Sequence, residues 1–484
     1  MDKTDPARTI SYKFKFDKGN EKTFVIKMDR KTLDLIDDPK DSYPEWANLE
    51  YQQCSNCPLD PKDHPHCPIA MKMTEIVDFF CKPIDCEAVD LSVQTPERTY
   101  KKRVGLRSSV VSLIGIYMAT SGCPIMDKLR PMARHHLPLA TTPETTYRSL
   151  ANYLIAQYLL AHQGKEPDWE LNNLGPIYDA IKTVNMHFRK RLLKVSREDY
   201  ALNAILTLDA HAYYINLSLI GDTFYTIENL FDESVRTKSI SYDSSQKAEN
   251  GSGDIRSYQY QFIFNNNYVT EFNFDIDAET LYLLNTQEPP LPSWTKLDCQ
   301  KCPNCPLDQT LCPHCPAAAG IANVMESLSE TLAIPEADIL VKTVERDFFK
   351  HTSVAEGLSS MMSLLMISSG CPVLSRLKPL ANHHLPFEST EERIYRTLGM
   401  YLLHQKFSPK SKGHPDWTLN NWPKFFEEIN MVRRSFCSRF REIPIEGDIL
   451  NILINLDCFI GYRDFRISED HNRDLQKLFE RSYS

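Results

Sequence analysis

The strongest constraint on the fold is an internal repeat, because residues 12–234 recur further along the chain with a constant offset of 248 positions. Trp46 corresponds to Trp294 and Cys57 to Cys305, and no gap is needed between these landmarks. A unit of this length can bury its own core, so the chain is predicted to form two similar modules. The repeat also supplies a two-sequence alignment, which shows the positions that both copies kept.

The repeat predicts the organisation of the chain. We expect the first module over residues 1–236, a linker at 237–257 and the second module over residues 258–484. The linker is polar and contains glycine and serine, a composition typical of flexible connections. Two similar modules in one chain often imitate a homodimer, so a pseudo-two-fold pairing is expected.

Each module is predicted to be α+β and mostly helical. Apolar residues alternate on both sides of a Lys18-Gly19-Asn20 turn in the first copy, which predicts an antiparallel hairpin. A short helix is expected at 31–36, and a second pair of strands within 89–101. From Leu106 onward the apolar spacing becomes helical, so a helical bundle should follow the small sheet.

Composition places the chain among ordinary globular proteins, with 42% hydrophobic and 25% charged residues. No apolar run reaches the ~18 residues of a membrane span, and the first residues lack the apolar region of a signal peptide. We therefore expect a cytoplasmic location and no membrane partner. The net charge of −9 argues against a general binder of polyanions. Basic stretches such as Arg98–Arg107 and Arg189-Lys190-Arg191 keep nucleic-acid binding through basic helices open as an alternative.

A cysteine motif with the spacing C-x2-C-x6-[H/C]-x2-C lies in a proline-rich loop of each copy, at 46–70 and 294–318. A two-residue gap lets two ligands bend round one ion, and two such pairs complete a tetrahedron. The spacing predicts one structural zinc in each module and two in the chain. The expected ligands are Cys54, Cys57, His64 and Cys67 in the first copy, and Cys302, Cys305, Cys312 and Cys315 in the second.

The exchange of His64 for Cys312 favours zinc, since this metal accepts imidazole and thiolate at the same position. A disulfide would not survive the exchange, whereas iron is possible at the all-cysteine second site. His66 and His314 lie one residue off the ligand spacing and are expected to be outer-shell groups or alternative ligands. Four protein ligands leave no open position for substrate, so these ions should stabilise the fold.

A second shared segment combines Ser-Gly-Cys-Pro with His-His-Leu-Pro. A thiol at a helix start would have a lowered pKa, and histidines can act as bases or metal ligands. This favours a metalloenzyme or a thiol enzyme as the alternative function. The structural interpretation is preferred, because adjacent histidines on a helix point ~100° apart. The candidate catalytic residues are Cys123, His135 and His136, with Cys371, His383 and His384 in the second copy.

Other conserved polar residues have structural explanations. Glu144 belongs to a Thr141-x-x-Glu144 capping box, and Glu392 to its counterpart, so both should satisfy free amides at a helix start. Asp168, in a Pro-Asp-Trp segment, is expected to be a helix N-cap. Signatures of phosphate-binding loops, dinucleotide folds, zinc proteases and serine hydrolases are absent from the sequence.

Three phrases, CSNCPLDPKDHPHCPIA, ATSGCPIMDKLRPMARHHLP and EPDWELNN, resemble a bacterial family of unknown function. The resemblance covers each copy from the first hairpin to the Asp-Trp segment and implies no activity. Cys312 in the second copy departs from the HPHC form of the motif. The sequence therefore predicts a tandem zinc-binding protein that acts through binding rather than chemistry. Its partner would be a protein or a small anionic ligand.

Overall fold

The computed structural model groups the chain into two compact units. The first unit comprises Met1–Ile227 together with Ile467–Ser484, and the second comprises Glu228–Arg466. Both contain helices and an antiparallel sheet, so the predicted α+β class is confirmed. The residues described are 7–36, 40–80, 84, 86–195, 200–218, 227, 230–231, 254–265, 268–284, 290–328, 336–408, 414–443, 477–479 and 482–483.

The first unit contains an antiparallel sheet of four strands in the order β2-β1-β3-β4. These strands are β1 (Ala7–Lys15), β2 (Glu21–Asp29), β3 (Ala88–Gln94) and β4 (Thr99–Gly105). The predicted hairpin is confirmed: Gly19 has φ +84°, and the Phe16 amide donates to the Asn20 carbonyl at 2.9 Å. Alternate side chains of β1, β2 and β3 are buried, which gives the sheet one apolar face.

Helices cover this apolar face. Phe80 packs against the sheet, with its ring centroid 5.4 Å from that of Phe14 and 5.7 Å from that of Phe24. The helices are α1 (Pro68–Phe80), α2 (Leu106–Thr120), α3 (Arg130–Arg134), α4 (Thr142–His162), α5 (Leu174–Leu193) and α6 (Tyr200–Ser218). None of the described helices is both long and apolar enough to cross a membrane.

The predicted short helix at 31–36 is wrong. One carboxylate oxygen of Asp29 accepts hydrogen bonds from the amides of Lys31 and Thr32, each at 2.8 Å. Leu33 then adopts a left-handed φ of +57°. This side-chain hydrogen bonding forms a turn in place of a helix.

The second unit repeats the same plan, with a sheet in the order β8-β7-β5-β6. Its register is kept, since Tyr260 pairs with Phe272 and Val341 as Tyr12 pairs with Phe24 and Val93. The strands are β5 (Ile255–Ile263), β6 (Val269–Asp277), β7 (Glu336–Lys342) and β8 (Asp347–Ser353). The helices are α7 (Pro316–Gly320), α8 (Ala322–Leu328), α9 (Val354–Ser368), α10 (Lys378–Asn382), α11 (Thr390–Phe407) and α12 (Trp422–Phe440).

The segment predicted as a linker, 237–257, lies mostly outside the described residues. Its last three residues, 255–257, already belong to strand β5. The predicted linker is therefore three residues too long, because residues 255–257 belong to β5.

The end of each repeat belongs to the unit formed mainly by the other repeat. In the first unit, the Tyr483 hydroxyl accepts a hydrogen bond from Asn152 Nδ2 at 3.0 Å and donates to the Lys128 carbonyl at 3.3 Å. In the second unit, the ring of the fully buried Phe231 lies 6.0 Å from that of His404. The repeats thus exchange their closing segments, an arrangement that the repeat in the sequence does not indicate.

Candidate metal centre

The cysteine loop of the first repeat is closed by backbone hydrogen bonds. The Cys57 amide donates to the Cys54 carbonyl at 3.0 Å, which forms the tight turn that the two-residue spacing predicts. The Cys67 amide donates to the Ala47 carbonyl at 2.8 Å and fixes the far end of the loop. The second repeat has the same bonds, from Cys305 to Cys302 at 3.0 Å and from Cys315 to Thr295 at 2.8 Å.

An asparagine inside each C-x2-C turn attaches the loop to a long helix. Asn56 Nδ2 donates to the Ala180 carbonyl of α5 at 3.0 Å, and Asn304 Nδ2 donates to the Glu428 carbonyl of α12 at 2.9 Å. The bonds are equivalent in the two repeats, so the Asn of the Cys-x-Asn-Cys phrase has a structural role. The cysteine spacing alone does not indicate this role, although both copies keep the residue.

A buried arginine lies beneath each loop. The guanidinium of Arg191 donates to the carbonyls of Trp46, Asn48 and Leu49, with the last two bonds at 2.7 and 3.3 Å. Arg439 donates in the same way to loop carbonyls of the second repeat, at 2.6 and 2.7 Å. Both arginines are almost fully buried, with exposed fractions of 2% and 1%.

These two arginines are not ion-paired to carboxylates in the described part of the chain. The groups that act electrostatically on Arg191 are the thiols of Cys54, Cys57 and Cys67 and the phenol of Tyr51. Arg439 acts likewise on Cys302 and Cys315. Since a guanidinium keeps its charge in proteins, each loop places a permanent positive charge beside several cysteines.

Four cysteines of the first repeat line one small cavity. Three come from the loop, and the fourth, Cys123, comes from the Ser-Gly-Cys-Pro segment after α2. The remaining wall is mostly apolar and includes Ile69, Val184 and Phe188, with Arg191 at one side. The loop cysteines on this cavity are Cys54, Cys57 and Cys67.

Burial dominates the acidity of these thiols. Burial, together with the neighbouring Cys67, Cys123 and Cys57, raises the pKa of Cys54 to about 12. It raises the pKa of Cys123 to about 11, against the lowered pKa that a thiol at a helix start would have. Free thiols would therefore be protonated here at neutral pH.

The second repeat brings together the corresponding set. Burial raises the pKa of Cys371 to about 12, and its cysteine neighbours are Cys315 and Cys302. Burial also raises the pKa of Cys302 to about 11, with Cys315 and Cys305 as neighbours. The Ser-Gly-Cys-Pro cysteine thus meets the loop cysteines in both repeats.

The sulfurs are not gathered tightly enough for an ion. Within the described ranges, no group of three or more His, Cys, Asp or Glu side chains is arranged to hold a metal. Zinc holds sulfur at about 2.3 Å, so a tetrahedral site requires sulfur atoms about 3.8 Å apart. A metal bound here would require the sulfur atoms to adopt that spacing.

One predicted ligand position differs between the repeats, His64 in the first and Cys312 in the second, and it lies at the edge of the loop. His64 is exposed, whereas Cys54 and Cys57 are half-buried and Cys67 is buried. Its counterpart Cys312 is half-buried and donates its thiol hydrogen to the His314 carbonyl at 3.1 Å.

The adjacent histidines contribute to the loop in other ways. His314 Nδ1 lies 2.7 Å from the Thr295 hydroxyl, and burial lowers the pKa of this histidine. The ring of His66 lies 5.1 Å from that of Tyr43. Both therefore have local partners beside the loop.

The lining of the cysteine cavity includes neither His135 nor His136. His136 Nε2 is 2.5 Å from the Tyr12 hydroxyl, which is itself 2.8 Å from the Ser112 hydroxyl. Burial, aided by Arg148, lowers the pKa of His136 to about 3, so its ring is neutral at pH 7. The histidine therefore joins the sheet to α2.

The second repeat keeps this network. His384 Nε2 is 2.6 Å from the Tyr260 hydroxyl, which is 3.0 Å from that of Ser360, and burial lowers the pKa of His384 to about 3. The carbonyl of His383 accepts a hydrogen bond from Arg396, as that of His135 does from Arg148 at 2.6 Å.

A cavity beside His384 is also lined by Arg393 and Arg396. Both arginines pair with Glu388, at 3.5 Å for Arg393. Glu388 therefore holds both guanidinium groups at the wall of this cavity.

Comparison with known families supports the duplication. The model of a domain of unknown function, DUF6901, matches the chain twice, over residues 10–232 and 258–480. No curated protein matches the chain, and no solved structure does. The protein is therefore a member of the DUF6901 family that carries two copies of its domain.

Proposed function

We propose that the protein is a tandem metal-binding protein, in which the cysteine loop of each repeat holds one structural zinc ion. The observation that carries the proposal is the buried guanidinium beneath each loop, Arg191 or Arg439, which acts electrostatically on the loop cysteines. A buried charge is costly unless an opposite charge lies nearby. Thiolates bound to a metal would supply that negative charge, whereas protonated thiols would not.

The position of the loop favours a structural role for the metal. The loop is attached to α5 by Asn56 and Arg191, and its cysteines face an apolar cavity. A zinc ion held by four protein ligands has no open position for a substrate. Zinc bound here would stabilise the loop and the helices that meet it, because metal binding and folding are coupled.

We further propose that the chain acts through binding rather than through catalysis. The two groups expected for catalysis have different surroundings, since Cys123 lies on the cysteine cavity and His136 in a buried network with Tyr12. A protein or a small anionic ligand stays the proposed partner. Turnover that is abolished by His136→Gln, in a variant that keeps its fold and metal, would contradict this part of the proposal.

Metal analysis of the purified full-length chain tests the zinc proposal. We expect two zinc ions per chain, falling to one when Cys54→Ser and Cys57→Ser are combined. The matched control is Cys299→Ser, which removes a half-buried thiol three positions before Cys302 that has no counterpart in the first repeat. It should keep both ions. A wild-type chain that binds no metal tightly would refute the proposal.

A further inference from the structure

We propose that Cys123 and Cys371 are metal ligands, and that each repeat holds its metal with four cysteines. The sites would be Cys54, Cys57, Cys67 and Cys123 in the first repeat, and Cys302, Cys305, Cys315 and Cys371 in the second. This inference rests on the proposed metal-binding function and changes its ligands. It takes His64 and Cys312 out of the coordination sphere.

Three elements bring the four thiols to one place. The C-x2-C turn supplies Cys54 and Cys57, the start of α1 supplies Cys67, and the segment after α2 supplies Cys123. All four line the same cavity in the first repeat. Cys123 is 9% exposed, so it faces inward as a ligand must.

The same convergence occurs in the second repeat. Cys371 is 8% exposed and interacts electrostatically with Cys315 and Cys302. Two copies that have otherwise diverged therefore keep one cysteine beside the loop at equivalent positions. A single buried cysteine is usually a small apolar residue, but here Cys371 lies near Cys315 and Cys302.

Backbone amides point at the sulfur of this cysteine. The amides of Ile125 and Met126 donate to Cys123, and those of Val373 and Leu374 donate to Cys371. Hydrogen bonds to sulfur stabilise the negative charge of a thiolate and tune metal sites. Two donors on one sulfur fit a metal-bound thiolate better than an apolar thiol.

The position of His64 argues against its being a ligand. Its side chain is exposed and is not part of the cavity lining, while Cys312 donates to the carbonyl of His314. The His/Cys exchange between the repeats then needs no zinc-specific explanation. It is a substitution at the edge of a site whose four ligands are identical in both copies.

Four thiolates bind soft metals and admit two occupants, a single zinc ion or an iron–sulfur cluster. The residues beside the cysteines suit either, because an apolar wall and a nearby arginine can accommodate a buried centre of net negative charge. Zinc and iron are therefore separate arms of the test. Acid-labile sulfide present in proportion to the iron would identify an iron–sulfur cluster.

The experiment compares two full-length double variants, Cys123→Ser with Cys371→Ser, and His64→Ala with Cys312→Ala. Zinc, iron and labile sulfide are measured per chain, and circular dichroism checks the fold. We expect the first variant to lose at least half of its tightly bound metal and the second to keep all of it. The reverse result would overturn the inference but leave the proposed function intact. A wild-type chain without metal would refute both.

A second measurement keeps the test valid if the Cys123→Ser variant unfolds. Cys302→Ser with Cys305→Ser leaves only the first site, and X-ray absorption at the bound metal counts the sulfur and nitrogen ligands of that site. Sulfur ligands alone support the four-cysteine set. An imidazole nitrogen bound to the metal would restore His64 as a ligand and overturn the inference.

Discussion

Arg191 is a residue whose environment in the structure differs from the one that the sequence predicts. In the sequence it ends a run of three basic residues, which is typical of a solvated helix face. In the structure Arg189 and Lys190 are exposed, whereas Arg191 turns inward beneath the cysteine loop. Spacing alone cannot show which of three adjacent cations is buried. That depends on the carbonyls of a loop more than 140 residues away.

Replacement of this guanidinium should be costly. Arg191→Met leaves three loop carbonyls without a donor and removes the positive charge beside the thiols. We expect a loss of about 3–5 kcal/mol in the free energy of unfolding, measured by urea denaturation, together with weaker metal retention. The exposed neighbour Arg189→Met is the matched control and should change stability by less than about 0.5 kcal/mol. Equal effects of the two variants would contradict the role of Arg191.

His136 should make the stability of the first unit dependent on pH. Its folded-state pKa of about 3 lies below the unfolded value of about 6.5, so the unfolded state binds the proton more readily. The contribution of neutral His136 is thus complete above pH 6.5 and is lost as the pH falls towards 3. Between pH 7 and pH 5 we expect a loss of about 2 kcal/mol. His136→Gln should lack this component in urea denaturation at the two pH values. A pH dependence of stability in His136→Gln equal to that of the wild-type chain would refute this prediction.

At the scale of elements, the features that depend on local patterns were predicted well. The first hairpin follows from alternation around Gly19. Both capping boxes are confirmed, with the Thr141 amide donating to Glu144 at 2.7 Å and the Ser389 amide donating to Glu392 at 2.8 Å. These signals need only a few neighbouring residues, so sequence is sufficient.

Features that depend on competing local hydrogen bonds were predicted less well. Asp168 was expected to cap a helix, but that helix begins at Leu174 with Asn173 as its N-cap residue. The Asp168 carboxylate instead accepts from the Asn173 amide at 2.8 Å and from the Tyr153 hydroxyl at 2.7 Å. It thereby fixes the segment that leads into α5 from two sides.

The cysteine site illustrates the limit set by distance along the chain. Spacing identifies Cys54, Cys57 and Cys67 because they share a loop. Cys123 lies more than 50 residues further on, and only the packing of α2 against the first sheet brings it to the same cavity. The motif was therefore found, while its association with the loop was not.

The capping boxes allow a paired test of element stability. Thr141→Ala and Ser389→Ala each remove the hydroxyl that accepts from the amide of the third helical residue. We expect each to cost about 1 kcal/mol, measured by thermal or urea denaturation. Thr142→Ser, one position further on, is a conservative control for α4. A cost near zero for both alanine variants would show that the caps are replaced by water.

At the scale of the whole molecule, each compact unit is built from both repeats. Phe231 and Phe479 are equivalent positions at offset 248, and both are buried, with exposed fractions of 0% and 2%. Phe231 belongs to the second unit and Phe479 to the first. Sequence comparison shows that these residues correspond, but it cannot show which unit receives them, because the two destinations are themselves equivalent.

Because the closing segments are exchanged, a mutation in the closing segment of one repeat should destabilise the unit formed mainly by the other repeat. Phe479→Ala lies in the second repeat but should destabilise the first unit by about 3–5 kcal/mol, and Phe231→Ala should destabilise the second unit. Hydrogen exchange resolved by mass spectrometry distinguishes the units through peptides from α4 and α11. Faster exchange in α11 rather than α4 after Phe479→Ala would mean that each repeat closes on itself.

The exchange of closing segments also gives the duplication a consequence for how the fold depends on protein concentration. A single repeat that lends its closing segment to another molecule depends on protein concentration, since dilution separates the partners. Within one chain, the connecting peptide keeps the two segments at an effective concentration on the order of millimolar, however dilute the protein is. The second copy therefore works as a permanently tethered partner, and a state that two separate molecules would reach only at high concentration becomes a property of the monomer.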